Sequence, residues 1–174
     1  MKTKKITIFL LAFFILGTSI YAIKPRDNYH YYSLFIYKFT QYFEWPPQQN
    51  QGDFVIGVLG QSPINKWLQQ MAKNQKVGNR RIRIKQYASA NLIRERCHIV
   101  FVSKTNSREL SRVVRNNYGK PTLVVSEQKG LIKAGSMVNF VGKDGRVQIE
   151  LNQRMLSTAR LKVSKSLLRI AIVK

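Results

Sequence analysis

The stretch Phe54-Val55-Ile56-Gly57-Val58-Leu59-Gly60-Gln61-Ser62-Pro63 decides the fold. Its first six residues are apolar or glycine and lack the polar alternation of a strand with one wet face. They read as a strand covered on both faces. Gly60-Gln61 turns the chain, and Ser62 and Pro63 supply an N-cap and a first-turn proline for a helix running to about residue 72. A doubly covered strand that passes at once into a helix is the unit of a parallel sheet.

Downstream the unit repeats. Residues 81–87 read as a second strand, in which Arg81, Arg83 and Lys85 alternate with Ile82 and Ile84. Residues 89–94 fit a short helix, 98–102 a third strand, 107–116 a helix closed by Tyr118-Gly119, and 122–125 a fourth strand. The style then changes. Residues 137–141 and 147–151 flank Gly142-Lys143-Asp144-Gly145 as a hairpin, with Val147, Ile149 and Leu151 alternating toward the core. Residues 152–159 read as helix, and 164–173 as a terminal helix burying Leu167, Leu168 and Ala171. Upstream, Tyr32, Phe35, Ile36, Phe39 and Phe43 recur at helical spacing until Glu44-Trp45-Pro46-Pro47 stops the helix. The expected fold is α/β: a single domain with a mostly parallel sheet flanked by helices, ending in an antiparallel hairpin.

The N-terminus has the build of a cleavable secretory signal. Lys2, Lys4 and Lys5 precede the apolar run 6–16, which only Thr7 interrupts, and Ala22 offers a small residue for the peptidase. The run falls short of the ~20 apolar residues that a membrane span needs. Residues 1–22 are therefore expected to be removed. The remainder, 23–174, is one domain's length, roughly 150 residues, and would work in the periplasm.

The chain carries 30 Lys and Arg against 8 Asp and Glu, a net charge of +22. Such a charge invites anionic partners, but export argues against nucleic acid as one of them. Arg80, Arg81, Arg83 and Lys85 make the one dense basic patch. Cys97 is the sole cysteine, so no intramolecular disulfide can form. Its place just before an apolar strand predicts a buried, inert thiol, the alternative being a link between two chains. No His, Cys or carboxylate spacing suits a metal, and no cofactor motif is complete. Ser62 follows a strand and a glycine, but Ile64 stands where a nucleophile elbow needs its second glycine. Ser62 therefore reads as a cap. An exported hydrolase using Ser62 with Glu95 and His98 is the alternative of a different class, and a basic binder of anionic wall or lipid surfaces is a third.

Several segments, taken in order, resemble the YfiR-like family of periplasmic regulators. They are Phe39-Thr40-Gln41-Tyr42-Phe43-Glu44-Trp45-Pro46, the strand Phe54 through Gly60, Cys97-His98-Ile99-Val100-Phe101-Val102-Ser103, and Thr122-Leu123-Val124-Val125-Ser126. Gly135-Ser136-Met137-Val138-Asn139-Phe140-Val141 and Leu161-Lys162-Val163-Ser164-Lys165-Ser166-Leu167-Leu168 complete the pattern. The resemblance implies a non-catalytic protein that binds the extracytoplasmic part of a membrane diguanylate cyclase and represses it, lowering cyclic-di-GMP signalling and biofilm output. A sensor kinase is the alternative membrane partner. A homodimer and a small ligand stay open as further interactions. Some members carry disulfides, one of them using the Cys of the Cys-His strand; here Cys97 has no second cysteine to join. The residues expected to make partner contacts are Tyr37 and Trp45 at the first helix, then Arg80, Arg81 and Arg83. A core anchor against the first strand is the competing role for Trp45.

Overall fold

A computed structural model describes residues 28–143 and 146–174. The expected signal segment lies outside the described residues. Helix α1 (Tyr29–Tyr42) opens the fold. Strand β1 (Phe43–Glu44) and a 3₁₀ turn at Pro47–Gln49 lead into β2 (Phe54–Leu59), all six of whose residues are buried. Helix α2 (Ile64–Asn74), the short β3 (Lys76–Val77) and β4 (Arg80–Tyr87) follow. Next come β5 (Ile99–Val102), α3 (Leu110–Asn116), β6 (Leu123–Ser126), β7 (Val138–Lys143) and β8 (Arg146–Leu151). The chain closes with α4 (Gln153–Thr158), β9 (Lys162–Val163), α5 (Lys165–Ile170) and β10 (Ile172–Val173).

The main sheet has the order β10-β8-β7-β6-β5-β2-β4-β3, and β1 pairs with β9 in a separate ribbon. β2 lies parallel to both β4 and β5, β5 parallel to β6, and β6 parallel to β7. The expected hairpin is present as β7 and β8, paired antiparallel from Val138↔Leu151 to Lys143↔Arg146. The fold is thus the mixed α/β domain that the alternation of strands and helices predicts.

Local departures have physical causes. The short helix expected over 89–94 is a single 3₁₀ turn, Ala90–Leu92, held by a tertiary bond in which the Ala90 amide donates to Glu109 at 2.8 Å. The terminal helix stops at Ile170. Ala171 is extended, and Ile172-Val173 pairs in parallel with Glu150-Leu151, as suits β-branched residues beside an open strand. Phe43 leaves the first helix to pair with Val163, although its side chain stays in the core. Ser62 does cap α2: its Oγ accepts from the Ile64 amide at 3.4 Å and its carbonyl from the Asn65 amide at 3.1 Å.

The core is aromatic where α1 meets the hairpin. The Phe140 ring stacks on Tyr32 at 4.5 Å and on Phe39 at 5.8 Å. Phe140 is fully buried, so Phe140→Ala would leave a cavity between the first helix and the last hairpin. That substitution is expected to cost about 3–5 kcal/mol, read as a lower denaturant midpoint; a loss well below that range would show that the stack does not tie the two ends together.

Candidate functional site

The parallel strands present two rims, and the candidate residues divide between them. At the amino-terminal rim, Phe54 begins β2 and stacks on His98 at 4.4 Å, while Trp45 meets the Phe54 ring nearly perpendicular at 5.2 Å. His98 is buried. Its Nδ1 accepts from the Val55 amide at 3.0 Å, and its Nε2 lies 2.9 Å from the Gln49 carbonyl and 2.8 Å from Arg80 Nη2. Burial holds the imidazole below its ordinary pKa, so His98 stays neutral.

Arg80 is fastened into the same corner. Its Nε donates to the Gly52 carbonyl at 2.8 Å and its Nη2 to the Asp53 carbonyl at 3.0 Å, and the guanidinium lies 5.5 Å from the Phe54 ring centre. Arg83 binds the Asp53 carboxylate and thereby holds it below the usual carboxylate range. Trp45, Arg80 and Arg83 thus have partners inside the chain. The Trp45 indole N–H is buried without an acceptor among the described residues. Arg81 is exposed, at the corner where β4 pairs with β3 opposite Lys76.

Tyr37 lies apart from this corner, on the flank of α1 that faces α2. Its hydroxyl donates to the Lys76 carbonyl at 3.5 Å, and its ring lines an apolar cleft of about 200 Å³ with Leu34, Trp67 and Met71. Leu34 and the neighbouring Tyr31, 46% and 43% exposed, extend this apolar surface along α1. The cleft and Arg81 adjoin through β3, because Lys76 both accepts from Tyr37 and pairs with Arg81. Of the five residues expected at a partner surface, Arg81 and Arg83 are exposed and Tyr37, Trp45 and Arg80 half-buried; Tyr37 and Arg81 adjoin on one flank.

The hydrolase arrangement does not assemble. Ser62 follows the carboxyl end of β2, whereas Glu95 and His98 precede the amino end of the parallel β5. A strand of this length separates them by roughly 15–20 Å. Glu95 is also engaged elsewhere, accepting from Lys85 and from the Tyr87 hydroxyl at 2.7 Å. Cys97 is buried as expected: its thiol and the Tyr87 ring fill the space over Gly57, and burial pushes the thiol pKa up.

At the carboxyl-terminal rim, β2 and β5 part where the strand order reverses, the place where open α/β sheets commonly hold ligands. Here the chain fills it with its own side chains. Gly60 has φ of +86°, and a Cβ on it would fall 1.9 Å from Asn106 Oδ1 and 2.7 Å from Ser103 Oγ. Beside it, Glu127 accepts from the Lys104 amide at 2.9 Å, and burial raises its carboxyl pKa. Burial and the Glu127 carboxylate push Tyr29 up to about 12. Glu127 was missed in the sequence, although its place directly after the fourth strand is a usable signal.

The YfiR/HmsC-like family model matches residues 29–172, nearly the whole described chain. The chain belongs to the YfiR/HmsC-like family. No curated protein matches it. Family membership suggests a periplasmic regulator of diguanylate cyclase signalling that interacts with a membrane signalling protein, in a family that is generally regulatory and non-catalytic. Among the described residues no helix is long and apolar enough to cross a membrane, and no cluster of His, Cys, Asp or Glu is arranged to hold a metal ion. In this YfiR/HmsC-like chain, His98 is a structural hub that joins Val55, Gln49 and Phe54.

A depressed imidazole pKa means that the unfolded chain binds more protons than the folded one below the ordinary His value of 6.5, so this contribution to stability is lost as pH falls through that value. Asp53 and Glu95, held low by Arg83 and Lys85, act only at more acid pH. His98→Asn keeps an acceptor for the Val55 amide and removes the titration. Between pH 7.5 and 5, about where an ordinary His titrates, the parent should lose stability relative to this variant in urea melts; parallel curves would show that the imidazole is not held neutral.

Proposed function

We propose that this protein is exported, binds the extracytoplasmic region of a membrane diguanylate cyclase, and represses its output. The family match across residues 29–172 carries the reading. The failure of Ser62, Glu95 and His98 to converge supports a role in binding over one in catalysis.

In this reading the partner sits on the α1–α2 flank. Leu34 and Tyr31 offer exposed apolar surface, Tyr37 lines the cleft between the helices, and Arg81 supplies the adjoining charge. An interface built this way has an apolar anchor beside a cationic rim. Trp45, Arg80 and Arg83 act behind it by fixing the β2–β4 corner.

The purified protein, cross-linked to membranes of its own organism, should recover an integral-membrane protein with a cyclase domain. Leu34→Glu combined with Arg81→Glu should weaken that capture by roughly tenfold or more, the loss of one interface hot spot, with thermal melting unchanged. Recovery of no membrane protein would end the proposal. Capture that is indifferent to the double substitution would move the contact off this flank.

A further inference from the structure

Between the amino ends of β5 and β6 lies an open cavity of about 530 Å³, inside the ~300–1,000 Å³ range of small-molecule sites. Its walls come from three separate stretches: Gln49 in the turn after the double proline, residues 93–97 leading into β5, and residues 116–122 joining α3 to β6. Three cations, Arg94, Arg96 and Lys120, line it. Arg94 and Lys120 enter no ion pair among the described residues, and Arg96 spends one N–H on the Gln48 carbonyl at 3.3 Å. The single acid in the wall, Glu95, is already paired with Lys85. The cavity therefore faces a ligand with net positive charge.

A second observation points the same way. Gln49 is 8% exposed and lines this cavity, yet its Oε1 has no hydrogen-bond partner. A buried amide oxygen left unpaired costs about 1–3 kcal/mol, and native structures tolerate few of them. Two other polar wall groups bond within the chain: Thr122 Oγ1 donates to the Cys97 carbonyl at 2.8 Å, and Asn117 Nδ2 to the Val113 carbonyl at 2.8 Å. Among the described residues of this wall, Gln49 Oε1 is the buried polar side-chain atom left without a partner.

We propose that this cavity binds a small organic anion that also carries an N–H or O–H donor. The carboxylate or phosphate is held by Arg94, Arg96 and Lys120, and the donor satisfies the Gln49 amide after a turn of its side chain. The site lies on the rim opposite the blocked switch point between β2 and β5, and it contains none of the α1–α2 flank residues. It does not rest on the cyclase reading, and its test needs no membrane partner.

The purified protein would be titrated by calorimetry and amide-detected NMR with N-acetylglutamate, ribose 5-phosphate and inorganic phosphate. Saturable binding of at least one organic probe is expected, with amide shifts confined to residues around Gln49, Arg94, Arg96 and Lys120. Arg94→Ala with Lys120→Ala should weaken it by roughly tenfold or more, the worth of one charge-assisted hydrogen bond. Both side chains are exposed, so folding should be untouched, as melting will report. Gln49→Met should weaken the organic probe while sparing inorganic phosphate. Absence of binding by both organic probes, binding unaffected by the charge removal, or inorganic phosphate binding as tightly as the organic probes would each overturn the proposal.

Discussion

Strand β2 has parallel partners on both sides, β4 on one and β5 on the other, and this pairing dictates where everything else can be. Parallel neighbours cannot be joined by tight turns, so the chain must cross from the end of one strand to the start of the next. After β4 it must also pass over β2 to reach β5. Residues 88–98 make that passage, with one 3₁₀ turn pinned by Glu109. All the returns from the crossovers arrive at the amino-terminal rim, which is why Asp53, Arg80, Arg96, His98 and Lys120 gather there from distant parts of the chain.

The two rims are finished in opposite ways. At the carboxyl rim the switch point is plugged by Asn106 and Ser103 against Gly60, which lacks the Cβ that would clash with them and tolerates the positive φ of the turn. At the amino rim, His98 serves as a hub for Val55, Gln49 and Phe54, and Arg80 caps the carbonyls of Gly52 and Asp53. The Arg83–Asp53 pair is half exposed and contributes little to stability by itself. Its effect is to engage the charge of a surface arginine within the chain. High net charge is therefore a poor guide to free charge: of the basic run 80–85, Arg81 is the residue turned outward without an ion pair among the described residues.

Much of the architecture was legible because strand and helix signals alternate sharply. The unbroken apolar run of β2 announced its double burial, and the alternation of Arg81, Arg83 and Lys85 with two isoleucines announced β4 as half covered. Two-residue strands are too short to show alternation: β3 pairs with the start of β4 just after it, and β1 and β9 exist only through each other across the length of the chain. The terminal helix was overextended for the same reason: nothing local says that Ile172 will find Glu150. The site was less legible than the fold. Arg80 and Arg81 are adjacent and chemically alike, yet strand alternation sends one inward to backbone carbonyls and the other to solvent. Gln49 carries no sequence signal at all, because an unpaired amide is defined only by what surrounds it.

Cys97 completes the physical picture of a chain that does without covalent staples. In the periplasmic setting that the family suggests, a thiol is open to oxidation, and this one is withdrawn beneath Tyr87 with its pKa raised, the two conditions that make a cysteine unreactive. The closure that a disulfide would give comes instead from packing. Phe140 in β7 stacks between Tyr32 and Phe39 of α1, and the β1–β9 ribbon joins the end of that helix to the segment before α5. Both contacts span more than a hundred residues, so they constrain the unfolded chain as little as any non-covalent contact while closing the native one. Closure of the fold thus rests on ring stacking and strand pairing rather than on a covalent bond within the chain.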